Sequence, residues 1–560
     1  MAAGLAPRSL APRSLVIRRN LRLGGRAVCA VLGLLLATSG PGWAFTPVAL
    51  ADVGPQTFFA VGGIPTGGYL LVWQDARGSD FAVLAQRFTA AGRPLGPVKT
   101  LDVGPAHDQL SVFSVAVGET GAWGVFWVEG AGADQVGIGG ALFDAHDRLL
   151  KRLSFPDPVP DPGGLVISYN PKAVALPGGG FWLASEVGTQ DDPTEDPLRP
   201  SRTDVYVRRL DAAGQAVGAA VRANEVTTGF HRLTGVGGSR DHVVVSWDAI
   251  SGELETRAVR ARFFAGTLAP AGPEVHVAEP DGSAGGAGGS RLAVGADGRA
   301  LLAWQGSVAG PDGAPPSLGV RLRAFGPHGE PRGAERAADP GTPGDHVLSD
   351  LGLTSEGTVW VSWTTLGPIA PSGDVYENVL SLRPFDLAGA PLGGAEDVGA
   401  TTVLDGPFVT GGRGGALVAW RPSPSSPLLM GFVVGPAGGE SGPPSAPFAI
   451  ESPRLPGFRA WVRFDPPFNA ALWGTPVEPC LAQALCAAAV LPSRAEVVVR
   501  LIGPRANGFL WPQIVRFTTD PVEVWVQQKT TGAIRYYLLP AGSPGTDTLT
   551  GRFDRFGFRP

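Results

Sequence analysis

Lysine is nearly missing from this chain of 560 residues, which has only Lys99, Lys151, Lys172 and Lys529. Charged residues make up 17% of the chain and the formal net charge is −5. An electrostatic nucleic-acid binder needs a basic balance, so that class is excluded. The seven histidines (His107, His146, His231, His242, His276, His328 and His346) stand singly. None forms H-x-x-x-H or H-E-x-x-H, which leaves a zinc hydrolase without its ligand pair. G-x-S-x-G and the phosphate-cradling G-x-x-x-x-G-K-[ST] are also missing, and with them the nucleophile elbow and the P-loop. No long apolar run follows the N-terminal region, so no membrane span is expected there. Turn residues, by contrast, are abundant. With 81 Gly and 53 Pro the chain lies near the composition of low-complexity segments, but 14 Trp, 26 Phe and 44% hydrophobic residues are those of a folded protein.

The N-terminus reads as an export address. Arg8, Arg13, Arg18, Arg19, Arg22 and Arg26 precede the apolar run Ala27–Ala37, and Gly42-Trp43-Ala44 ends it with small residues. A positive n-region, a short h-region and a small-x-small end describe a secretory signal peptide, with cleavage expected after Ala44. The run is too short for a transmembrane helix. Removal of Cys29 leaves Cys480 and Cys486, which in an oxidising compartment can close a small loop as a structural disulfide. The alternative is a metal or redox pair, for which the C-x-x-C spacing and a nearby His are missing.

The middle of the chain repeats a two-part phrase. Its first part ends in an aromatic slot: G-G-Y-L-L-V-W-Q-D at Trp73, then Trp127, Ser185, Trp247, Trp304, Trp363 and Trp420, at steps of 54 to 62 residues. Its second part reads A-V-L-A-Q-R-F-T-A-A-G-R-P-L-G over Ala82–Gly96 and returns more loosely, as in Ser381–Gly393. Short apolar or β-branched runs between Gly, Pro and Asp clusters predict strands and tight turns. Four strands per unit and an even step predict an all-β fold, a seven-bladed β-propeller. Its units fall near 56–102, 108–155, 166–224, 229–278, 287–338, 345–399 and 403–450, within a domain spanning 45–452. The slot tryptophans Trp73, Trp127, Trp247, Trp304, Trp363 and Trp420 are expected to be wedges between blades.

These phrases resemble "G-x-x-V-V-W-Q-D … A-Q-R-F-D-A-x-G-x-P-L-G", found in exported bacterial proteins of the β-propeller class. The first unit, Leu71–Asp75 with Ala85–Gly96, is closest, while units two, four and seven depart from the pattern. The resemblance implies a fold and says little about activity. After Ser452 the period stops, and residues 453–560 read as a small β-sandwich. The stretches Ala495–Trp511 and Thr531–Gly542 resemble a C-terminal module of secreted bacterial proteins, with Arg500 in place of the usual Lys and the Cys480–Cys486 segment replacing an aromatic pair.

Carboxylates follow several slots: Asp75, Glu129, Glu186 and Asp248, with Gln305, Thr364 and Arg421 in the later units. If the slot strands are equivalent, these acids gather at one mouth and become candidates to hold a cation such as Ca²⁺, or a sugar. The competing reading is that acids after strands start turns. The acidic insertion Asp191–Pro197 could likewise chelate Ca²⁺, the competing reading being a Pro-punctuated solvated loop. No catalytic residue and no resident cofactor is identified. The functional reading is a secreted, monomeric, non-enzymatic binding or scaffold protein that presents loops to a protein or glycan at the cell surface. The alternative is an extracellular hydrolase or lyase acting on polysaccharide in the central pocket. A purely structural envelope component is the third reading.

Overall fold

The computed structural model describes residues 43–52, 59–75, 82–90, 92, 94–101, 113–130, 136–155, 166–189, 202–251, 256–280, 287–308, 317–339, 344–367, 378–401, 407–421, 428–436, 449–453, 455–464, 472–477, 480, 484–488, 496–502, 510–519, 522–530 and 534–539. Residues 1–42 of the proposed export signal 1–44, His107, the insertion 191–197 and most of the long loops lie outside the described residues, whereas Trp43 and Ala44 are described.

The described residues contain strands and no helix. β1 (Trp43–Asp52) comes first. The first meander is β2 (Phe59–Gly63), β3 (Tyr69–Asp75), β4 (Ala82–Phe88) and β5 (Pro94–Thr100). The second is β6 (Phe113–Val117), β7 (Trp123–Gly130), β8 (Val136–Phe143) and β9 (Leu149–Phe155). The third is β10 (Val166–Ala175), β11 (Phe181–Thr189), β12 (Arg202–Leu210) and the short β13 (Val221–Arg222). The fourth is β14 (Phe230–Gly238), β15 (His242–Ser251), β16 (Thr256–Ala265) and β17 (Val275–Ala278). The fifth is β18 (Gly288–Val294), β19 (Ala300–Val308), β20 (Ser317–Phe325) and β21 (Pro331–Ala337). The sixth is β22 (His346–Leu353), β23 (Val359–Thr365), β24 (Asn378–Phe385) and β25 (Glu396–Thr401). The last supplies β26 (Phe408–Gly412), β27 (Gly415–Trp420) and β28 (Leu428–Pro436).

Each meander is antiparallel, and the second and third join through a single parallel bridge between Val136 and Ile167. The last sheet takes its fourth strand from the other end of the chain, because β1 pairs antiparallel with β28. First strands touch in sequence: β2 with β6, β6 with β10, and onward through β14, β18, β22 and β26, which returns to β2. This is a ring of sheets of propeller type.

The seams between sheets follow from strand alternation, since successive side chains point to opposite faces. On β19, Leu301 and Ala303 pack on the sixth meander, whereas Ala300, Leu302 and Trp304 pack on the fourth. Every slot tryptophan faces the preceding sheet, as with Trp247 among Trp182, Ala184 and Val205, and Trp73 among Leu417, Ala419 and Val433. All six are buried. Turns recur as well. In Asp211–Gly214 the Asp211 Oδ1 accepts from the N–H groups of Ala213 (2.9 Å) and Gln215 (2.7 Å), and Gly214 takes a φ of 71°. Asp386–Gly389 does the same. In the second meander the glycine is replaced by Asp147, at φ 61°. That conformation costs a non-glycine residue about 1–2 kcal/mol, offset by what the side chain holds. Its Oδ1 accepts from Arg87 Nε (2.8 Å) and Trp123 Nε1 (3.0 Å), and Lys99 Nζ lies 3.1 Å from Oδ2, which binds the first meander to the second.

Eight further strands follow: β29 (Phe458–Phe464), β30 (Leu472–Trp473), β31 (Thr475–Pro476), β32 (Ala484–Ala488), β33 (Val497–Ile502), β34 (Trp511–Arg516), β35 (Val522–Gln528) and β36 (Ile534–Leu539). They form two four-stranded sheets, β30-β29-β35-β36 and β31-β32-β33-β34. Val462, Val524 and Val526 of one meet Val497, Val499 and Ile514 of the other in a shared core. Ile450, assigned above to the repeats, packs in this core and pairs with Ala460 (N–O distances 2.7 and 3.0 Å). Cys480 and Cys486 form a disulfide, buried beside Val477 and Val498.

Two outcomes are expected. Trp247→Ala, which empties a seam, should cost about 3–5 kcal/mol in denaturant unfolding, whereas Leu150→Ala, at 61% exposure, should change it by less than about 0.5 kcal/mol. Equal effects would refute the wedge role. A form lacking residues 43–52 should leave the β28 edge open, melt earlier and associate in light scattering. An unchanged, monomeric truncation would show that β1 does not close the ring.

Candidate functional site

Inside the ring, the first strands of four consecutive meanders carry a bulge near their beginning. Pairing shifts between Tyr169 and Lys172, between Leu233 and Gly235, between Gly288 and Arg291, and between Leu348 and Asp350. A bulge re-aims the side chains beside it. Past each bulge the register resumes at one level: Lys172 opposite Ala184, Gly235 opposite Ser246, Arg291 opposite Ala303 and Asp350 opposite Ser362. Each partner stands one residue before the aromatic slot. Lys172, Arg291 and Asp350 thus share a level in the ring, with Gly235 between the two cations.

A cavity of about 430 Å³ opens here. Its wall carries four cationic side chains, Lys172, Arg232, Arg257 and Arg291, and one carboxylate, Asp248. Asn170, Thr234 and Gln305 add neutral polar groups. Arg291 donates from Nη1 to the Ser290 carbonyl at 3.0 Å, and its Nε is 3.6 Å from Asp350 Oδ1. Thr234 Oγ1 bridges Ser246 Oγ (2.9 Å) and Ser290 Oγ (2.6 Å), fixing the wall between the fourth and fifth meanders.

The acids around the cavity serve largely as ties between sheets. Glu186 Oε1 accepts from Leu233 N of the next meander at 2.9 Å and from Asn170 Nδ2. Asp248 Oδ2 accepts from Gly289 N at 2.8 Å, again in the next meander, while its Oδ1 is buried without a hydrogen bond among the described residues. Asp350 Oδ2 accepts from Val409 N at 2.9 Å. Burial pushes all three carboxyls up, against the opposing pull of these donors and of Arg232 or Arg291, and Glu186 reaches about 7. Burial, reinforced by Arg291, pushes the Lys172 ammonium down to about 8, with Asp350 and Glu186 opposing. Burial also raises the Tyr169 phenol, and Glu186 adds to that shift.

The structure divides the four acids read as one group. Glu186 and Asp248 directly follow their slots, pair with Val205 and Val259, and face the following meander. Asp75 and Glu129 stand two residues after Trp73 and Trp127, and for Glu129 that turns the side chain to the opposite face of its strand from Glu186 and Asp248. The Glu129 carboxylate lies over Gly139, beside the edge of Trp127. The side chain of Asp75 lies outside the described residues. No group of three or more His, Cys, Asp or Glu is placed to hold a metal among the described residues. Lys172, Arg232, Arg257 and Arg291 were not singled out from the sequence. The signal that finds Lys172 and Arg291 is the pairing register, with positions counted from the slot.

No protein-family model and no curated protein matches this sequence. Solved structures with a similar fold include a polysaccharide lyase of family PL25, an ulvan lyase, at 13% identity and TM-score 0.38, covering 71% of this chain and 94% of that one. Polysaccharide lyase Uly1 is similar at 9% identity and TM-score 0.41, covering 69% and 91%. A protein of unknown function from Dyadobacter fermentans is similar at 10% identity and TM-score 0.36, covering 70% and 99%.

The Glu186 carboxyl generates a pH prediction. A glutamate loses its proton near 4.5 in the unfolded chain, but native Glu186 keeps it to about 7. The native state therefore binds more protons across that window, and stability falls as pH rises through it. Glu186→Gln keeps an acceptor toward Leu233 N and removes the titration. Between about pH 5 and 8, its denaturation midpoint should decline less steeply than that of the parent; parallel curves would refute the assignment.

Proposed function

We propose that the seven meanders, the last completed by β1, are the blades of one closed propeller. In this reading the chain is an exported protein acting on acidic polysaccharide, with an anionic sugar unit seated in the cavity of Lys172, Arg232, Arg257 and Arg291. The excess of cations over carboxylates on the cavity wall carries this reading. In a partly enclosed site such charges attract anions far more strongly than on an open surface. Arginine forks suit carboxylate or sulfate groups, and Asn170, Thr234 and Gln305 offer the neutral donors and acceptors that sugar hydroxyls need. The disulfide supports an oxidising destination, as does the signal-like N-terminus. Residues 449 onward are proposed as a separate sandwich domain, since Ile450 packs into that core.

Of the two main readings left open by the sequence, the cavity favours the polysaccharide-acting one over the loop-presenting scaffold. Hydrolysis by a carboxylate pair is poorly served, because Glu186 and Asp248 each accept backbone N–H bonds. Elimination next to a uronate carboxylate is better served. That reaction needs cations to neutralise the carboxylate and a base to take the neighbouring proton, and the Lys172 ammonium, lowered to about 8, leaves a neutral amine available for that role.

Titration calorimetry with uronate-containing, sulfated and neutral polysaccharides tests the binding. Anionic chains should bind, weaken with added salt, and lose about tenfold or more in affinity in Arg232→Ala and Arg257→Ala. Ultraviolet detection of unsaturated uronate ends tests turnover. Equal binding of neutral chains, or full affinity in both variants, would overturn the proposal.

A further inference from the structure

The four lysines are not alike. Lys99 reaches the His146 carbonyl at 2.6 Å and Asp147 at 3.1 Å, Lys151 reaches the Ala213 carbonyl at 3.2 Å, and Lys529 pairs with Glu451 at 2.8 Å. Lys172 lines the cavity, yet makes no hydrogen bond or ion pair of this kind among the described residues. It stands past the β10 bulge, with Gly235 at the equivalent place in the next meander. The permanent charges of Arg232, Arg257 and Arg291 share its cavity. We propose that Lys172 is a nucleophilic amine that forms a reversible imine with an anionic carbonyl compound, such as the open-chain aldehyde at the reducing end of an acidic sugar.

The neutral amine attacks the carbonyl carbon to give a carbinolamine. The nitrogen gives up its two protons as the carbonyl oxygen leaves as water, and the C=N bond forms; hydrolysis restores both partners. The arginines hold the carboxylate or sulfate of the ligand and orient the carbonyl toward Nζ. Burial is what chiefly lowers the amine's hold on its proton; among the charged groups Arg291 and Arg232 also disfavour the ammonium, and Asp350 and Glu186 favour it. With Lys172 at about 8, roughly half of it is neutral at about pH 8, on the order of 100-fold more than an ordinary lysine. Only the identity of the natural ligand rests on the polysaccharide reading.

The test treats the whole protein with glyoxylate or with acetaldehyde in cyanoborohydride at about pH 8, followed by peptide mass mapping. Glyoxylate should label Lys172 at least about tenfold faster than Lys99, Lys151 or Lys529, and the preference over acetaldehyde should shrink in Arg257→Ala. Lys172→Arg should lose that label while the other three sites and the melting curve remain unchanged. Labelling should rise with pH around a midpoint near 8. Even labelling of all four lysines, or a spared Lys172, would overturn the proposal. The two readings fail separately: selective labelling without polysaccharide binding removes only the ligand class, and binding with Lys172 unlabelled removes only the imine.

Discussion

Everything in this molecule depends on the inability of a twisted four-stranded sheet to remain in water with both faces apolar. Strand alternation sends odd and even positions to opposite sides, so each sheet must find two neighbours. On β15, Trp247 packs backward against the third meander, while Val244 packs forward against the fifth. A row of such sheets has two unsatisfied ends unless it closes. Leu50 of β1 and Val433 of β28 lie in the seam with Tyr69, Leu71 and Trp73, so the last sheet and the first share one core. The chain thereby satisfies its final edge with its own beginning.

The same alternation determines where polar residues go. A position directly after the slot faces the next sheet close to its first strand. An apolar residue there would extend the seam. A carboxylate instead meets backbone N–H groups exposed by the neighbouring bulge, as Glu186 meets Leu233 N and Asp248 meets Gly289 N. Those bonds compensate for much of the desolvation of each acid, and they sit at the bulges that precede Gly235 and Arg291, while Asn170, within the bulge before Lys172, donates its side-chain amide to Glu186. Ties between sheets and the polar cavity are therefore one construction.

The repeat was legible because tryptophan is scarce and regularly spaced. Strands such as Phe458–Phe464 and Val522–Gln528 were legible because turn residues bound them on both sides, and the disulfide because only two cysteines remain beyond the signal-like segment. The closing strand was hidden because Trp43–Asp52 carries no repeat phrase and begins inside a stretch that reads as the end of an export signal. Glu129 parts from Glu186 and Asp248 by a single residue, since it sits two places after its slot and they sit one place after theirs. In a structure of period two that difference reverses the face. The cavity cations were hidden for a related reason. Lys172, Arg232 and Arg291 lie on first strands, the least repetitive part of each unit, and Arg257 on the third strand of the fourth meander; bulges in the first strands shift the count, so no linear spacing connects Lys172 to Arg291.

One asymmetry in the cavity needs a chemical explanation. An arginine can hold an anion, donate to several oxygens and stay charged at any ordinary pH. If the wall had only to attract a carboxylate or sulfate, a fourth arginine would serve as well as Lys172. What lysine adds is the capacity to lose its proton, and burial beside Arg291 favours that loss. In the proposed reading, three arginines and one lysine divide the work between permanent charge, which would select and orient an anion, and a titratable amine, which would accept a proton or attack a carbonyl. In a chain with four lysines, one placed here with no carboxylate at bonding distance among the described residues is what the proposal takes as the cavity's reactive group, whether as base or as nucleophile.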